Sequence, residues 1–422
     1  MAQRTVSSGG TYERVAAIIE NDRQELVDLC LRLGNMPSPH GREREVAQVV
    51  VEWLRENGID GYRQPITEQS ANAVGQIPGS DDGTSLILDA HIDTWTAVPA
   101  DAPGRIKKIQ GAWVEGDLLY GYGVINDKAQ VAAFMVAARA LQKAGLKPRG
   151  DLTVAGVAFE TGSPSVDEQQ GIEFPGEGFG SRWMIDRAVT ADYALIGETT
   201  DFGIVTAECG DLRLKITLEG RTLYTPRVER SLSLAEHPNA IVRMAHVVQA
   251  LEEWALQYEQ RQRFEFARGT IIPKAQVERI RGIGGSASIY FDIRLLPGAN
   301  PRAVAQEVRQ LINHRGFACQ VSAYQWSRGY IAQGAEPLID AVEEAHRFVF
   351  GRPSATPPSD VLSMWRDLNA FNEVGIPSVC YGAPRQKELF SDDQNRCMRI
   401  ADLVAATKVY ALTALGLCGF DQ

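Results

Sequence analysis

Histidine is scarce in this sequence, with six in 422 residues and none after His346. There is no C-x-x-C pair, no lysine- and arginine-rich tract and no long apolar run free of charge. Each absence removes a class of protein. A net charge of −10 without a basic patch argues against nucleic acid or an anionic membrane as the main partner. Apolar stretches such as LVAATKVYALTALGL are short and carry Lys408, so no membrane-spanning helix is expected. The opening MAQRTVSSGGTYERVAAIIE has no apolar core of the kind a secretory signal needs. The six cysteines (Cys30, Cys209, Cys319, Cys380, Cys397, Cys418) are scattered, which predicts reduced thiols in a cytoplasmic protein and no cysteine-based zinc site. No G-x-S-x-G nucleophile signature occurs. GEGFGSRW superficially suggests a nucleotide loop, but it does not follow a strand in the required way.

What is present is the patterning of a layered α/β protein. Residues 11–35 and 42–57 repeat apolar side chains at helical spacing. TSLILDAH, DLTVAGVAFE and ADYALIGE are short apolar runs that suit strands covered on both faces. NDKAQVAAFMVAARALQKAG between them predicts a helix ending at Gly145. Near residue 210 the period changes to two, in LRLKITLEG, GTIIPKAQVERIRG, SASIYFDIRLLPG and FACQVSAYQW, with helices at 238–260 and 301–314. Helix (335–350) and strand (IPSVCYG) then alternate again, and 400–417 forms a closing helix. This predicts a discontinuous α/β domain over 1–209 and 328–422, with a mixed central sheet. An α+β domain, residues 210–327, is inserted in it. No internal repeat is found.

Chemistry-bearing residues gather where the buried strands end. His91 and Asp93 follow the first strand, Glu160 and Thr161 the next, and Glu198 the one after. Asp127 lies in GYGVINDKA, where a glycine-rich turn enters a helix. In open α/β sheets the ligand crevice lies at the carboxyl ends of the strands. One imidazole among several carboxylates there is the composition of a divalent-metal site. Each residue also has a plainer reading. A strand-end histidine is usually just hydrogen-bonded, Asp127 can cap a helix beside Lys128, and Asp93 can be a turn residue. Their joint order on successive strands is what favours the metal.

DAHIDTW, LYGYGVINDKAQVAAFMVAARAL, FETGS, ALIGETTDF and HPNAI together resemble the M20 family of metallopeptidases and amidohydrolases over nearly the whole chain. The resemblance implies His91, Asp127 and Glu198 as metal ligands. It implies Asp93 as the carboxylate that orients the imidazole, fixing its tautomer. The fold it implies is a zinc-peptidase-like catalytic domain with a ferredoxin-like lid that also mediates assembly.

Three departures from the family pattern qualify this. The family's Glu-Glu pair reads Glu160-Thr161 here, so the expected general base is Glu160 and a second metal loses an acidic ligand. A competing alignment on VDEQQG makes Glu168 the base; Glu160 is preferred because it ends the strand, leaving 163–178 as an insertion. The histidine that would complete the second site is missing from APRQKELFSDDQNRCMRIADL. One divalent ion per chain is therefore expected, with Mn²⁺ favoured by the oxygen-rich set and Zn²⁺ or Co²⁺ as alternatives. In the lid, Tyr224 of GRTLYTP stands where the family places a histidine that polarises the substrate, and its alternative is a core tyrosine. Asn239 and Arg294 match lid positions that contact substrate in the family.

The implied reaction is hydrolysis of a C–N bond, with a metal lowering the pKa of water from about 15.7 toward about 7 and Glu160 taking the proton. A site short of one metal and the lid histidine lacks oxyanion donors worth roughly 10²–10³ each in rate. It suits a substrate that carries its own electron sink. Whole-chain resemblance within the family points to hydrolytic deamination of 5-nitroanthranilate to 5-nitrosalicylate and ammonia, the nitro group para to the amine holding the charge. The alternatives are an N-acyl-amino-acid amidohydrolase or dipeptidase, and a non-catalytic scaffold that binds a carboxylated small molecule. The expected partners are an aromatic or acyl-amino-acid small molecule and further copies of the chain, joined through the lid.

Overall fold

The computed structural model describes residues 8–80, 83–94, 111–228, 231–385 and 396–421. Ten strands and nine helices carry the argument. The strands are β1 (Asp60–Pro65), β2 (Ala71–Ile77), β3 (Leu86–His91), β4 (Leu152–Val157), β5 (Tyr193–Gly197), β6 (Gly210–Glu219), β7 (Ala275–Ile283), β8 (Ser286–Leu295), β9 (Gln320–Ser327) and β10 (Ser378–Tyr381). The helices are α1 (Ser8–Asn21), α2 (Arg23–Gly34), α3 (Arg44–Glu56), α4 (Ala129–Lys143), α5 (Phe179–Ile185), α6 (Ala240–Arg261), α7 (Pro301–His314), α8 (Glu336–Phe350) and α9 (Ile400–Cys418).

The central sheet runs β1-β2-β4-β3-β5-β10. Its first two pairings are antiparallel, and β4, β3, β5 and β10 are parallel to one another, which makes it the expected mixed sheet. Every residue of β3 and β4 is buried, Asp89, His91 and Thr153 included, as strands covered on both faces are. Register aligns His91 with Val157 and Asp89 with Ile196, so the carboxyl ends of β3, β4 and β5 open at one edge of the sheet. Helix α4 is buried from Ala129 through Leu141, and its six alanines let the layers approach closely. Helix α9 is long and apolar enough to cross a membrane, yet most of it is buried against the core, which accounts for its hydropathy without a bilayer.

Residues 210–327 carry a second sheet, in the order β7-β8-β6-β9, all antiparallel. Inward residues Leu212, Leu214, Ile216 and Leu218 alternate along β6 and pack against Val247, Leu251 and Trp254 of α6 and Val308 of α7.

Two expectations change at this level. The segment 269–282 is two strands and not one. Gly269–Ile271 pairs with Phe264–Phe266, and β7 starts only after Pro273, whose missing N–H cannot continue a ladder. The helix expected from Asn126 starts at Ala129, because Asn126 and Asp127 hold non-helical backbone angles. All six cysteines are free and five are buried.

Candidate metal centre

His91 closes β3, Glu198 follows β5, and Asp127 sits in the irregular turn that enters α4. One ligand atom from each lies within 4.8 Å of the other two, and all three residues are buried. His91 Nε2 is 3.9 Å from Glu198 Oε1 and 3.7 Å from Glu160 Oε2. Both carboxylate oxygens of Asp127 are buried without a hydrogen-bond donor. An unpaired buried carboxylate is costly in a folded protein, and a divalent cation between these groups is what would satisfy it. The donor set fits such an ion.

The imidazole is held from its far side. His91 Nδ1 lies 3.0 Å from the main-chain oxygen of Asp93 and 3.4 Å from its Oδ1. A proton on Nδ1 leaves the Nε2 lone pair facing the carboxylates. Burial opposes protonation of the ring, but Glu160, Asp93 and Asp127 outweigh it and raise its pKa well above the ordinary value. Burial, reinforced by Glu198, also raises Asp127 well above the carboxylate range. The centre thus holds more negative charge than its own cations balance.

The Asp93 carboxylate does most of its bonding elsewhere. Its Oδ1 accepts the Glu160 N–H at 3.0 Å, and its Oδ2 accepts the Thr161 N–H at 2.9 Å and the Thr161 hydroxyl. Asp93 therefore ties β3 to the turn that carries Glu160, while its main-chain oxygen makes the shorter contact to the ring. The carboxylate keeps a 3.4 Å contact with the ring, as expected, and adds this second task. Glu160 is buried, which raises its carboxyl well above the usual range even though His91 pulls the other way.

Glu160, Thr161 and Glu198 open on one cavity of about 300 Å³. Tyr122 and Trp365 add aromatic surface to its wall, and Arg294, Arg366 and Arg385 add positive charge. Arg366 is fully committed: its Nε is 3.6 Å from Glu198 Oε2, and its Nη1 donates to Glu208 and to the Val361 carbonyl. It is a fixed cation paired with Glu198 at 3.6 Å, so that carboxylate has one oxygen facing an arginine and the other facing His91.

Of the remaining sequence candidates, Arg294 reaches the cavity from the lid. Asn239 does not line it, because its side-chain oxygen caps α6 by accepting the Ile241 N–H at 2.9 Å. Tyr224 is 72% exposed at the start of a short turn of the lid and is absent from the cavity wall. It is not a core residue, and within its own chain it does not line this cavity. Glu168 is exposed and paired with Arg281 of the lid, away from the cavity that contains Glu160. Asp127 makes no helix cap; Lys128 occupies that position. Residues 386–395, within the histidine-free stretch 383–403, lie outside the described residues.

Sequence reading missed Arg366, Arg385, Trp365 and Glu177. The one available signal was the charged pair Arg366-Asp367 set among apolar residues in MWRDLNAF, both of which are buried.

Residues 87–416 match the model of Peptidase family M20/M25/M40. The chain is 24% identical to the succinyl-diaminopimelate desuccinylase of Corynebacterium glutamicum over 401 residues, covering 90% of this chain and 95% of that one. It is 24% identical to the N-formyl-4-amino-5-aminomethyl-2-methylpyrimidine deformylase of Bacillus subtilis over 424 residues, covering 93% and 94%. In structure it is similar to human carnosine dipeptidase 1, with a TM-score of 0.72 and 16% identity over 96% of this chain and 98% of that one.

Proposed function

The chain belongs to Peptidase family M20/M25/M40, a family of hydrolases acting on C–N bonds, and on that premise we propose that it cleaves the amide bond of a small N-acyl amino acid or dipeptide. The observation that carries this reading is the convergence of His91, Asp127 and Glu198 within 4.8 Å, beside Glu160, on one cavity. The relatives named above, a desuccinylase, a deformylase and a dipeptidase, support amide-type substrates.

A divalent metal held by His91, Asp127 and Glu198 would supply Lewis acidity, making water a better nucleophile at neutral pH and polarising the scissile carbonyl. One ion per chain is proposed, because the Thr161 hydroxyl is turned onto Asp93 and offers no acidic ligand to a second. Two carboxylates and one imidazole favour Mn²⁺.

The chain's own residues do the rest. Glu160 takes a proton from the attacking water on its carboxylate and returns it to the leaving nitrogen, a role suited by its raised pKa. Asp93 fixes the main chain of Glu160 and so the base's approach. Arg294 and Arg385 give the cavity a positive wall for an anionic substrate, and Tyr122 and Trp365 give it a flat apolar one. Water adds across the bond, releasing a carboxylic acid and an amine. The domain division at 209/210 and 327/328 assigns this machinery to the outer segments, with the lid contributing Arg294.

A second reading, hydrolytic deamination of 5-nitroanthranilate to 5-nitrosalicylate and ammonia, is favoured by one observation. The aromatic and cationic wall suits a flat carboxylated ring, and the loss of an acidic ligand at Thr161 matters least for a substrate that holds its own developing charge. The test is a substrate panel with Mn²⁺, comparing N-succinyl and N-formyl amino acids, dipeptides and 5-nitroanthranilate, run on wild type and Glu160→Gln. Amide turnover lost in Glu160→Gln with substrate binding kept supports the first reading. Ammonia release from the nitroaromatic alone replaces it with the second. Binding without turnover in the wild type overturns both in favour of a binding protein.

A further inference from the structure

The segment between Glu160 and α5 reaches away from the catalytic layers and meets the lid at three places. Asp167 accepts from Lys215 of β6 and from the Tyr290 hydroxyl of β8. Glu168 pairs with Arg281 of β7, and Glu177 with Arg213 of β6. Three carboxylates on one side thus face three cations, two on β6 and one on β7, with the Tyr290 hydroxyl of β8 between them. The Gly176 backbone also comes close to the lid: a Cβ there would meet the Gln325 side-chain oxygen of β9 at 3.0 Å.

The segment is braced at its own ends. Pro164 bridges Pro175, Val166 bridges Gln169, and the Ser165 hydroxyl donates to the Phe174 carbonyl. At its root, the Gly178 N–H donates to the Glu160 carbonyl at 3.1 Å and the Gly176 N–H to the Ser163 carbonyl at 3.2 Å. Its base is therefore the residue assigned to proton transfer. Glu177 of this segment and Arg294 of the lid line the same cavity as Glu160.

We propose that residues 163–178 form a latch that docks the lid on the catalytic domain, with Asp167 and Glu168 as positioning residues that hold Arg294 over the substrate cavity. They touch no substrate. They act through the lid strands they grip, and the cavity wall is complete only when the grip is made. The proposal rests on the hydrolase reading for its turnover readout alone, since lid docking is measured independently.

The experiment takes the metal-loaded full chain and compares wild type with Asp167→Ala/Glu168→Ala. Hydrogen exchange is followed in peptides from 163–178 and from β6 and β8, and steady-state kinetics are run on whichever panel substrate the wild type turns over. The expected result is faster exchange in both the latch and the facing lid strands. KM should rise roughly fivefold or more, a change equivalent to about 1 kcal/mol, with kcat and metal content near wild type. A pure fold defect would instead lower metal content and spread exchange through the central sheet.

Charge reversal gives the second arm. Glu168→Arg and Arg281→Glu should each accelerate exchange at the latch, and the two together should restore it. Should the double alanine variant not fold, this swap and the salt dependence of wild-type exchange decide the matter, since high salt should loosen the same peptides. Exchange unchanged in the double variant, or no rescue in the swap, overturns the latch. A wild type that turns over nothing on the panel overturns the hydrolase reading and leaves the exchange result standing.

Discussion

Replacing Asp93 by asparagine separates the two jobs its position performs. The substitution leaves the main-chain oxygen that accepts from His91 Nδ1 in place and alters only the carboxylate. That carboxylate is fully buried and accepts from the Glu160 N–H, the Thr161 N–H and the Thr161 hydroxyl. Asparagine has one oxygen for the two N–H groups and turns its own NH₂ toward the other. The hydroxyl of Thr161 can rotate to accept from that NH₂, but one main-chain N–H stays buried and unpaired, costing about 1–3 kcal/mol. The surviving bond falls from the charged range of about 1.5–3 kcal/mol to the neutral range of about 0.5–1.5 kcal/mol. The expected loss is therefore about 2–5 kcal/mol, a large share of a typical total of about 5–15 kcal/mol. Urea unfolding of the metal-free protein measures it, as a lower midpoint at unchanged slope. Metal titration should show a milder loss of about 10–100-fold in affinity, because the ring keeps its nearer partner. Stability within about 0.5 kcal/mol of wild type would refute the claim that the carboxylate organises residues 160 and 161. Near-complete loss of metal at unchanged stability would show instead that it acts on the imidazole.

His91→Ala, Asp127→Ala and Glu198→Ala should each abolish metal binding, and metal analysis of washed wild type should give about one divalent ion per chain; two retained ions would break the mononuclear reading. Asp127→Asn should make the metal-free protein more stable to urea, since it discharges a buried carboxylate that has no donor. Glu43, whose carboxyl burial and Asp93 raise to about 8, is protonated at low pH in the folded state and ordinary in the unfolded one. Its folded pKa lies above its unfolded value, so it costs nothing below about pH 4.5 and progressively more as pH rises to about 8, on the order of 3–5 kcal/mol. Glu43→Gln should flatten that part of the pH–stability curve, and an identical curve would count against the assignment. Tyr224→Phe should leave turnover unchanged if the site is complete within one chain; reduced turnover at unchanged metal content would mean that the exposed ring serves a neighbouring subunit's site.

The candidate centre was legible because its chemistry abuts its structure in sequence. His91, Glu160 and Glu198 each follow a short, mainly apolar run, whose length suits an interior strand with a fixed end. The parallel register then brings those ends together without further information. Asn239 and Tyr224 were harder, because period-2 strands locate a lid but not its face toward the cavity. A cap-forming side chain and an exposed turn look like functional residues in a string of letters. Arg366 gave no periodic signal at all. Its place depends on Glu208 and Glu198, which lie 158 and 168 positions away along the chain and meet it only in three dimensions. The latch was visible as an unaligned insertion, but its partners at 213, 215, 281 and 290 were not, since surface charges carry no pairing code.

The late position of β10 and α9 in the chain bears on how the molecule is made. Leu403, Val404 and Tyr410 of α9 belong to the same core as α1 and α4, and β10 completes the sheet beside β5. Residues 210–327, by contrast, contain all four strands and both helices of their own core. During vectorial synthesis the inserted unit can therefore close on itself while the alanine-lined side of α4 is still open to water. At about 5–20 residues per second, emission of residues 328–422 occupies on the order of 5–20 s. For that interval the nascent chain is a folded module carried between two unfinished arms, one of which already holds His91, Asp127 and Glu198. The ligand residues are emitted early, but Arg366 against Glu198 and the packing of α9 come late, so the ligand cage takes its final form only after these have folded onto it.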